Sequence, residues 1–360
     1  MSSLSKNESI RYDRHLRLDE IGLEGQLKLK RSSVLVIGAG GLGCPALQYL
    51  TAAGIGKIGI VDGDSISLSN LQRQILFQND DIGKSKAEVA ANRLMAINPE
   101  LEVVVYKEFL HQDNALNIVS EWDIILDCAD NFASRYLVND TCIILDKPWV
   151  FAAIYKFEGQ LSVFNWKGSP SYRCLFPEAP GAGESPSCSE IGVMGVLPGI
   201  MGVWQASEAI KMICGIGQVA TGKFVQLDLL NNQFSSFGFQ KNALNFEISS
   251  LDKPEYAYSC SIDTLPISQY KTGEPNTLLV DIRSASERAS QASIAKAIDP
   301  NHLNEYLEEL MGYQKIYIHC QTGKRAQKAA AEWKKSLPNC QLIALVGDLG
   351  ESKIITNTAT

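Results

Sequence analysis

No apolar run in this sequence approaches the roughly 20 residues that a membrane-crossing helix needs, and Met1-Ser2-Ser3-Leu4-Ser5-Lys6 lacks the apolar core of a secretion signal. A cytoplasmic location is expected. Excess positive charge is missing as well: the formal net charge is -7, which argues against general binding to nucleic acid or an anionic membrane and points to small molecules or proteins as partners. There is no regular cysteine framework. Nine cysteines, an odd number at irregular spacing, fit a reducing compartment where thiols serve catalysis or fill the core. Cys44, Cys128, Cys142 and Cys214 lie in apolar or helical surroundings and read as core. With 45% hydrophobic and 20% charged residues the chain is neither disordered nor fibrous, and its 360 residues suggest two domains.

The chain is organised around Val34 to Asp62. An apolar strand, Val34-Leu35-Val36-Ile37, leads into the glycine loop Gly38-Ala39-Gly40-Gly41-Leu42-Gly43, then a helix with Pro45 in its first turn, then a strand ending at Asp62. Such a loop brings backbone N–H groups and a helix N-terminus against a phosphate, where a Cβ would block the approach. The acid that follows is placed to bind ribose hydroxyls. The stretch reads as a nucleotide site.

Ahead of it, residues 8 to 30 read as charged helical segments with Arg11, Arg14 and Arg17 along one face. Behind it comes the polar loop Ser67 to Gln74, then a helix starting within Ile82-Gly83-Lys84-Ser85-Lys86-Ala87 and running toward Asn98. Arg73, Lys84 and Lys86 bring cations near the phosphate loop, which suggests phosphate chemistry. Leu101 to Val105 reads as a strand, and so does Trp122 to Asn131. In open α/β sheets ligands lie beyond the carboxyl ends of strands, which places Asp130 to hold a metal or nucleotide; the competing reading makes Asp127 or Asp130 a cap for the helix after it. Val150 to Phe164 reads as two strands turning at Glu158-Gly159. Residues 166 to 192, with Pro170, Pro177, Pro180 and Pro186 among several glycines, read as a long loop carrying Cys174 and Cys188. An apolar helix over 197 to 214 and a hairpin around Asn231-Asn232 follow.

Periodicity fades near 245 to 262, giving boundaries of 1–248 for the first domain, 249–262 for a linker and 263–360 for the second. The second begins with the strand Leu278 to Arg283, a helix over 302 to 311, and the strand Lys315 to Cys320. The loop Gln321-Thr322-Gly323-Lys324-Arg325 and a helix from Ala326 to Leu337 come next. A cysteine at such a strand-to-helix turn faces backbone N–H groups and the positive helix end, which stabilise a thiolate and a bound anion. Cys320 is a candidate nucleophile or sulfur carrier.

Taken in order, Arg11-Tyr12-Asp13-Arg14-His15, the loop Gly38 to Gly43, Asp62 with Asp64, Ser69-Asn70-Leu71-Gln72-Arg73-Gln74, Gly83-Lys84-Ser85-Lys86, Asp127-Cys128-Ala129-Asp130-Asn131 and Pro186-Ser187-Cys188 resemble the E1-like adenylyltransferases of the MoeB/ThiF type, in the branch with a C-terminal rhodanese-like domain. The resemblance covers nearly the whole chain. It implies an α/β fold: a Rossmann-like adenylation domain with a mixed sheet, then a small α/β rhodanese-like domain. It also implies ATP with Mg²⁺, used to adenylate the C-terminal glycine of a ubiquitin-like sulfur carrier ending in Gly-Gly, with sulfur passed on to give a thiocarboxylate in molybdopterin or thiamine biosynthesis. By the same resemblance Gly41 approaches the phosphates and Asp62 holds the ribose. Ser69, Asn70, Leu71, Gln72, Arg73, Lys86 and Asn131 line the nucleotide, Asp130 supports Mg²⁺, and Arg14 reaches in from the second subunit of a homodimer. Cys188 matches a crossover-loop cysteine that in some members bonds to the carrier. Cys320 matches the persulfide cysteine, loaded by a donor such as a cysteine desulfurase.

Two departures stand out. Many members hold a structural zinc with two CxxC pairs, but here the first reads Ser171-Tyr172-Arg173-Cys174 and Lys241 to Tyr258 contains no cysteine, so no zinc is expected. In the second domain Asp281-Ile282-Arg283 and Glu287 fit the rhodanese pattern, whereas Ala292-Ser293-Ile294 replaces a histidine-containing segment, and the closing turn reads Val346-Gly347-Asp348-Leu349-Gly350. Two other classes compete: an NAD-dependent dehydrogenase, which leaves Arg73, Lys86, Asp130 and the Cys320 loop without a purpose, and a non-catalytic sulfur-relay scaffold.

Overall fold

The computed structural model describes residues 3–180, 192–253, 256, 263–290, 293–321, 323–334, 336–337 and 340–347. The chain divides into two compact units, Met1–Ser259 and Cys260–Thr360. Among the described residues no helix is long and apolar enough to cross a membrane.

The first unit opens with α1 (Lys6–Arg11), α2 (Asp13–Leu16) and α3 (Gly22–Arg31). The single basic face expected here is broken at Tyr12, which is buried and whose hydroxyl accepts from Asn98 Nδ2 at 3.0 Å. Arg11 therefore turns to the carbonyl of Ile97 and Arg17 to Asp13, while Arg14 stays exposed. The sheet follows: β1 (Ser33–Ile37), α4 (Gly43–Ala53), β2 (Lys57–Val61), α5 (Lys86–Ile97), β3 (Glu102–Tyr106), α6 (Gln112–Ser120), β4 (Ile124–Asp127) and α7 (Phe132–Ile144). Then β5 (Trp149–Tyr155), β6 (Glu158–Phe164), α8 (Val196–Cys214), β7 (Lys223–Asp228) and β8 (Gln233–Gly238) complete it.

The strand order is β3-β2-β1-β4-β5-β6-β7-β8, parallel as far as β5 and antiparallel beyond it. Alternation along β1 sends Val34 and Val36 into one apolar layer and Leu35 and Ile37 into the other, so the sheet is covered on both faces, as parallel strands require. Cys44, Cys128, Cys142 and Cys214 are buried as expected. The β5–β6 turn falls at Lys156-Phe157 rather than Glu158-Gly159, because Glu158 pairs with Tyr155 and the positive φ of the turn is taken by Lys156.

The second unit contains β9 (Asp263–Pro266), β10 (Thr277–Asp281), α9 (Ala285–Ser290), β11 (Lys296–Ala297), α10 (Leu307–Leu310), β12 (Lys315–His319), α11 (Lys324–Trp333) and β13 (Gln341–Val346). Its sheet runs β11-β10-β12-β13-β9, all parallel, so the first strand of the unit closes against the last. The helix expected over 302 to 311 is instead a 3₁₀ stretch, Pro300–Glu305, with a kink at His302 before the short α10. The turn Asp348 to Gly350 lies outside the described residues.

Candidate active site

The site of the first unit lies where β1 and β4, neighbours in space, lead to connections on opposite sides of the sheet order, the usual place for a ligand in an open α/β sheet. Gly38 has φ of 95°, and a Cβ on it would stand 2.8 Å from the carbonyl of Cys128. Only glycine lets the loop after β1 lie against the turn after β4. The loop is tied to the strand beside it: Asp62, buried, accepts the Ala39 N–H at 2.7 Å and the Asp64 N–H at 2.8 Å. Burial raises the Asp62 pKa, while Lys86 and the two N–H donors pull the other way. Lys86, capped into α5 by Ser85, reaches Asp64 Oδ2 with Nζ at 2.8 Å. Asp62, Asp64, Lys86 and the glycine loop thus form one connected array.

Arg73 donates to the Ser69 carbonyl at 3.2 Å and lies alongside Gly41, whose added Cβ would be 3.4 Å from the Arg73 Cγ. Asn70 accepts from the Ser67 N–H at 3.2 Å, which shapes the turn around Ser69 and Leu71. Gln72 donates to the Val193 carbonyl at 3.3 Å. Beside these residues opens an apolar groove of about 720 Å³ lined by Gln72, Arg73, Ile75, Met194, Val196 and Ile200. Lys84 points elsewhere, pairing with Asp81 at 3.3 Å.

The turn after β4 divides its polar residues. Asn131 is the N-cap of α7, accepting from Ser134 N–H at 2.8 Å. Asp127 is fully buried, accepts the Ala129 N–H at 3.1 Å, faces Arg135 at 3.5 Å, and has its pKa pushed up by burial to about 6. Asp130 is left exposed, making no hydrogen bond or ion pair with the described residues, so its carboxylate is the one available to a cation or nucleotide. Sequence reasoning missed Arg135 and Gln205. The buried Gln205 side chain donates to the carbonyls of Asp127 at 2.8 Å and Val150 at 3.1 Å, fixing the ends of β4 and β5. Its signal was present, a polar residue on the buried stripe of an apolar helix.

In the second unit Cys320 follows β12, buried, with its Sγ accepting the Gly323 N–H at 3.1 Å. Gly323, at φ of 90°, caps α11, so the thiol faces the positive end of that helix. Arg325 forks onto Glu287 across the loop mouth, with one contact of 2.9 Å. Beneath lies a buried layer: Arg283 grips Asp281 through Nε at 3.0 Å and Nη2 at 2.8 Å, and His319 stands 3.8 Å from Asp281. Ser293, from the segment that departs from the rhodanese pattern, occupies His319 Nε2 at 3.0 Å. Burial lowers the His319 pKa to about 4 against the opposing pull of Asp281, and the ring is neutral. Cys188 lies outside the described residues.

Fold and site together define a nucleotide-binding α/β protein carrying a second unit built around a loop cysteine. The description of the ThiF family matches residues 12–245, and the chain belongs to that family. A sulfur carrier protein adenylyltransferase of Thermus thermophilus is 47% identical over 66% of this chain and 90% of its own length. The probable adenylyltransferase/sulfurtransferase MoeZ of Mycobacterium tuberculosis is 39% identical over 93% of this chain and 90% of its own, so the likeness includes the second unit. A probable molybdopterin-synthase adenylyltransferase of Porphyra purpurea is 39% identical over 90% of this chain and 88% of its own. Among solved structures, E. coli MccB with MccA-N7isoASN superposes with a TM-score of 0.60 at 24% identity, covering 68% of this chain and 76% of that one, which supports the fold.

Proposed function

We propose that the chain adenylates the C-terminal glycine of a ubiquitin-like sulfur carrier with ATP and then delivers sulfur through Cys320 to give the thiocarboxylate. The observation that carries this reading is the connected array of glycine loop, Asp62, Asp64 and Lys86 beside an exposed Asp130. A carboxylate is a weak nucleophile, so its attack on the α-phosphorus, expelling pyrophosphate, depends on alignment and on offsetting negative charge. Gly41 lets the chain approach the phosphates, Asp62 takes the ribose, and Asn70, Arg73 and Lys86 stand around the phosphates. Lys86 is held by Asp64 and does not have to be collected from solvent when the charge develops. Ser69, Leu71, Gln72 and Asn131 shape the wall. Asp130 has the oxygen chemistry that Mg²⁺ prefers, and the ion when bound would supply further positive charge at the phosphates. The groove lined by Gln72, Ile75 and Met194 suits the carrier's extended Gly-Gly tail. Arg14, exposed at the start of the chain, is assigned to the site of a second subunit in a homodimer. In the second unit the terminal sulfur of a Cys320 persulfide, loaded by a donor such as a cysteine desulfurase, attacks the activated carbonyl of the carrier and expels AMP. A second thiol then attacks the Cys320 sulfur of the resulting acyl disulfide, releasing the thiocarboxylate and leaving Cys320 in a disulfide that a further thiol reduces. The name of the Porphyra relative favours a molybdopterin carrier over a thiamine one.

Carrier-dependent exchange of labelled pyrophosphate into ATP tests the reading. Exchange that is lost in Asp130→Ala and kept in Cys320→Ala is expected, with thiocarboxylate formation lost in both. Absence of exchange with every Gly-Gly carrier would refute adenylation.

A further inference from the structure

The zinc implied by the resemblance does not fit this chain. Zinc sites of this kind are built from thiolates, imidazoles or carboxylates in a tetrahedron. The structure does bring two pairs of residues at i,i+3 spacing together, but they are Ser171 with Cys174 and Asn242 with Asn245. They supply one thiol, one hydroxyl and two carboxamides. Cys174 Sγ sits at the centre of this set, 3.4 Å from Ser171 N, 3.3 Å from Ser171 Oγ, 3.2 Å from Asn242 N and 3.7 Å from Asn245 Nδ2. Three N–H groups thus donate to the sulfur, the Ser171 hydroxyl lies beside it and the Asn242 carbonyl 3.8 Å away, where a metal would otherwise bridge the two segments. Burial works against the thiolate, yet these donors outweigh it and set the Cys174 pKa below its ordinary value.

The same short turn is held from its other side. Arg173, between Ser171 and Cys174, forks onto the fully buried Asp140 of α7 with Nε and Nη2 both at 2.7 Å. Asp140 also accepts from Lys253 Nζ at 2.9 Å, from Asn139 Nδ2 at 2.8 Å and from the Tyr256 hydroxyl. Tyr172 N–H binds Asn139 Oδ1 at 2.9 Å, and Gln112 Nε2 holds the carbonyls of Leu251 at 2.6 Å and Lys253 at 3.1 Å. One carboxylate therefore gathers a turn near residue 173, a helix, and the chain near residue 253. These are contacts far apart in sequence, all within the first unit.

We propose that this hydrogen-bonded and ionic staple, Cys174 with Asn242 and Asn245 on one side and Asp140 with Arg173, Lys253 and Tyr256 on the other, takes the place of the structural zinc, so that the first unit is held closed without metal. Buried charge networks of this kind depend on every partner, because removing one leaves others desolvated and unpaired.

Metal content and thermal unfolding of the full-length protein test this independently of any catalysis. Protein exposed to zinc and then desalted is expected to retain far less than about one zinc per chain, and its melting midpoint is expected to be the same with and without EDTA. Retention of about one zinc per chain that is lost in Cys174→Ser, with a midpoint that falls in EDTA, would overturn the proposal. Tyr256→Phe and Lys253→Met leave Asp140 with its Arg173 fork and so are chosen to fold; each is expected to lower the midpoint by roughly 2 to 6 °C. Unchanged midpoints in both would overturn it. The combined Ser171→Cys, Asn242→Cys and Asn245→Cys variant is expected to gain about one tightly held zinc per chain, because the four positions already converge; failure to gain it would refute that convergence.

Discussion

Lys86 is held in place before any substrate arrives, since Asp64 grips its ammonium group and Asp64 is in turn tied through Asp62 to the glycine loop. Removing that cation with Lys86→Met is expected to reduce pyrophosphate exchange by about 100-fold or more while the melting midpoint moves little. An equal loss in Lys84→Met would contradict the assignment, because Lys84 faces Asp81. His319 behaves differently. The ordinary imidazole value is 6.5 and burial brings this one to about 4, so between those values the unfolded chain takes up a proton that the folded unit refuses. Stability of the second unit is expected to fall as the pH falls through that window, by on the order of 3 kcal/mol in full. His319→Gln should flatten this dependence when unfolding is followed by tryptophan fluorescence of Trp333; parallel curves for wild type and variant would show the ring is not held neutral. The glycine spacing and the positions of Asp62, Asp130 and Cys320 just beyond strand ends could be read from the sequence, because each follows closely on an apolar run. Asp140, Arg173, Lys253 and Tyr256 could not, since each is unremarkable alone and acquires meaning only from contacts more than thirty positions away.

Among the elements, α8 does two things at once. Its apolar stripe packs on the sheet while Gln205 reaches through to two carbonyls at the ends of β4 and β5. Gln205→Leu is expected to cost about 2 to 4 kcal/mol, since both carbonyls would lose a donor in a buried place. Denaturant unfolding would measure it, and a cost near zero would mean the carbonyls find other donors. The long apolar helix and the Asn231-Asn232 hairpin were legible from periodicity and turn chemistry. The break at Tyr12 was not, because a buried hydroxyl bonded to Asn98 overrides a helical pattern that runs straight through it. The 3₁₀ stretch at Pro300–Glu305 was hidden for a similar reason, the kink at His302 leaving the apolar spacing intact.

For the whole molecule, each unit has its own apolar core, which supports assigning adenylation to the first and sulfur delivery to the second. A truncated protein ending at Ser259 is expected to fold and to keep carrier-dependent exchange while losing thiocarboxylate formation; loss of exchange would show that the first unit does not act alone. Past residue 248, where periodicity fades, the Leu251 carbonyl and the Lys253 and Tyr256 side chains still bond to the first unit, through contacts that follow no sequence repeat. The parallel sheet of the second unit has a further consequence. Because β9 pairs with β13, the opening strand waits for the final one. During synthesis the first unit can fold as soon as its own residues emerge, whereas the second stays open until residue 346 has left the ribosome. A premature stop inside β13 would therefore yield a chain with two bare strand edges and an unsupported cysteine loop, a species recognised by aggregation and proteolysis rather than by partial activity.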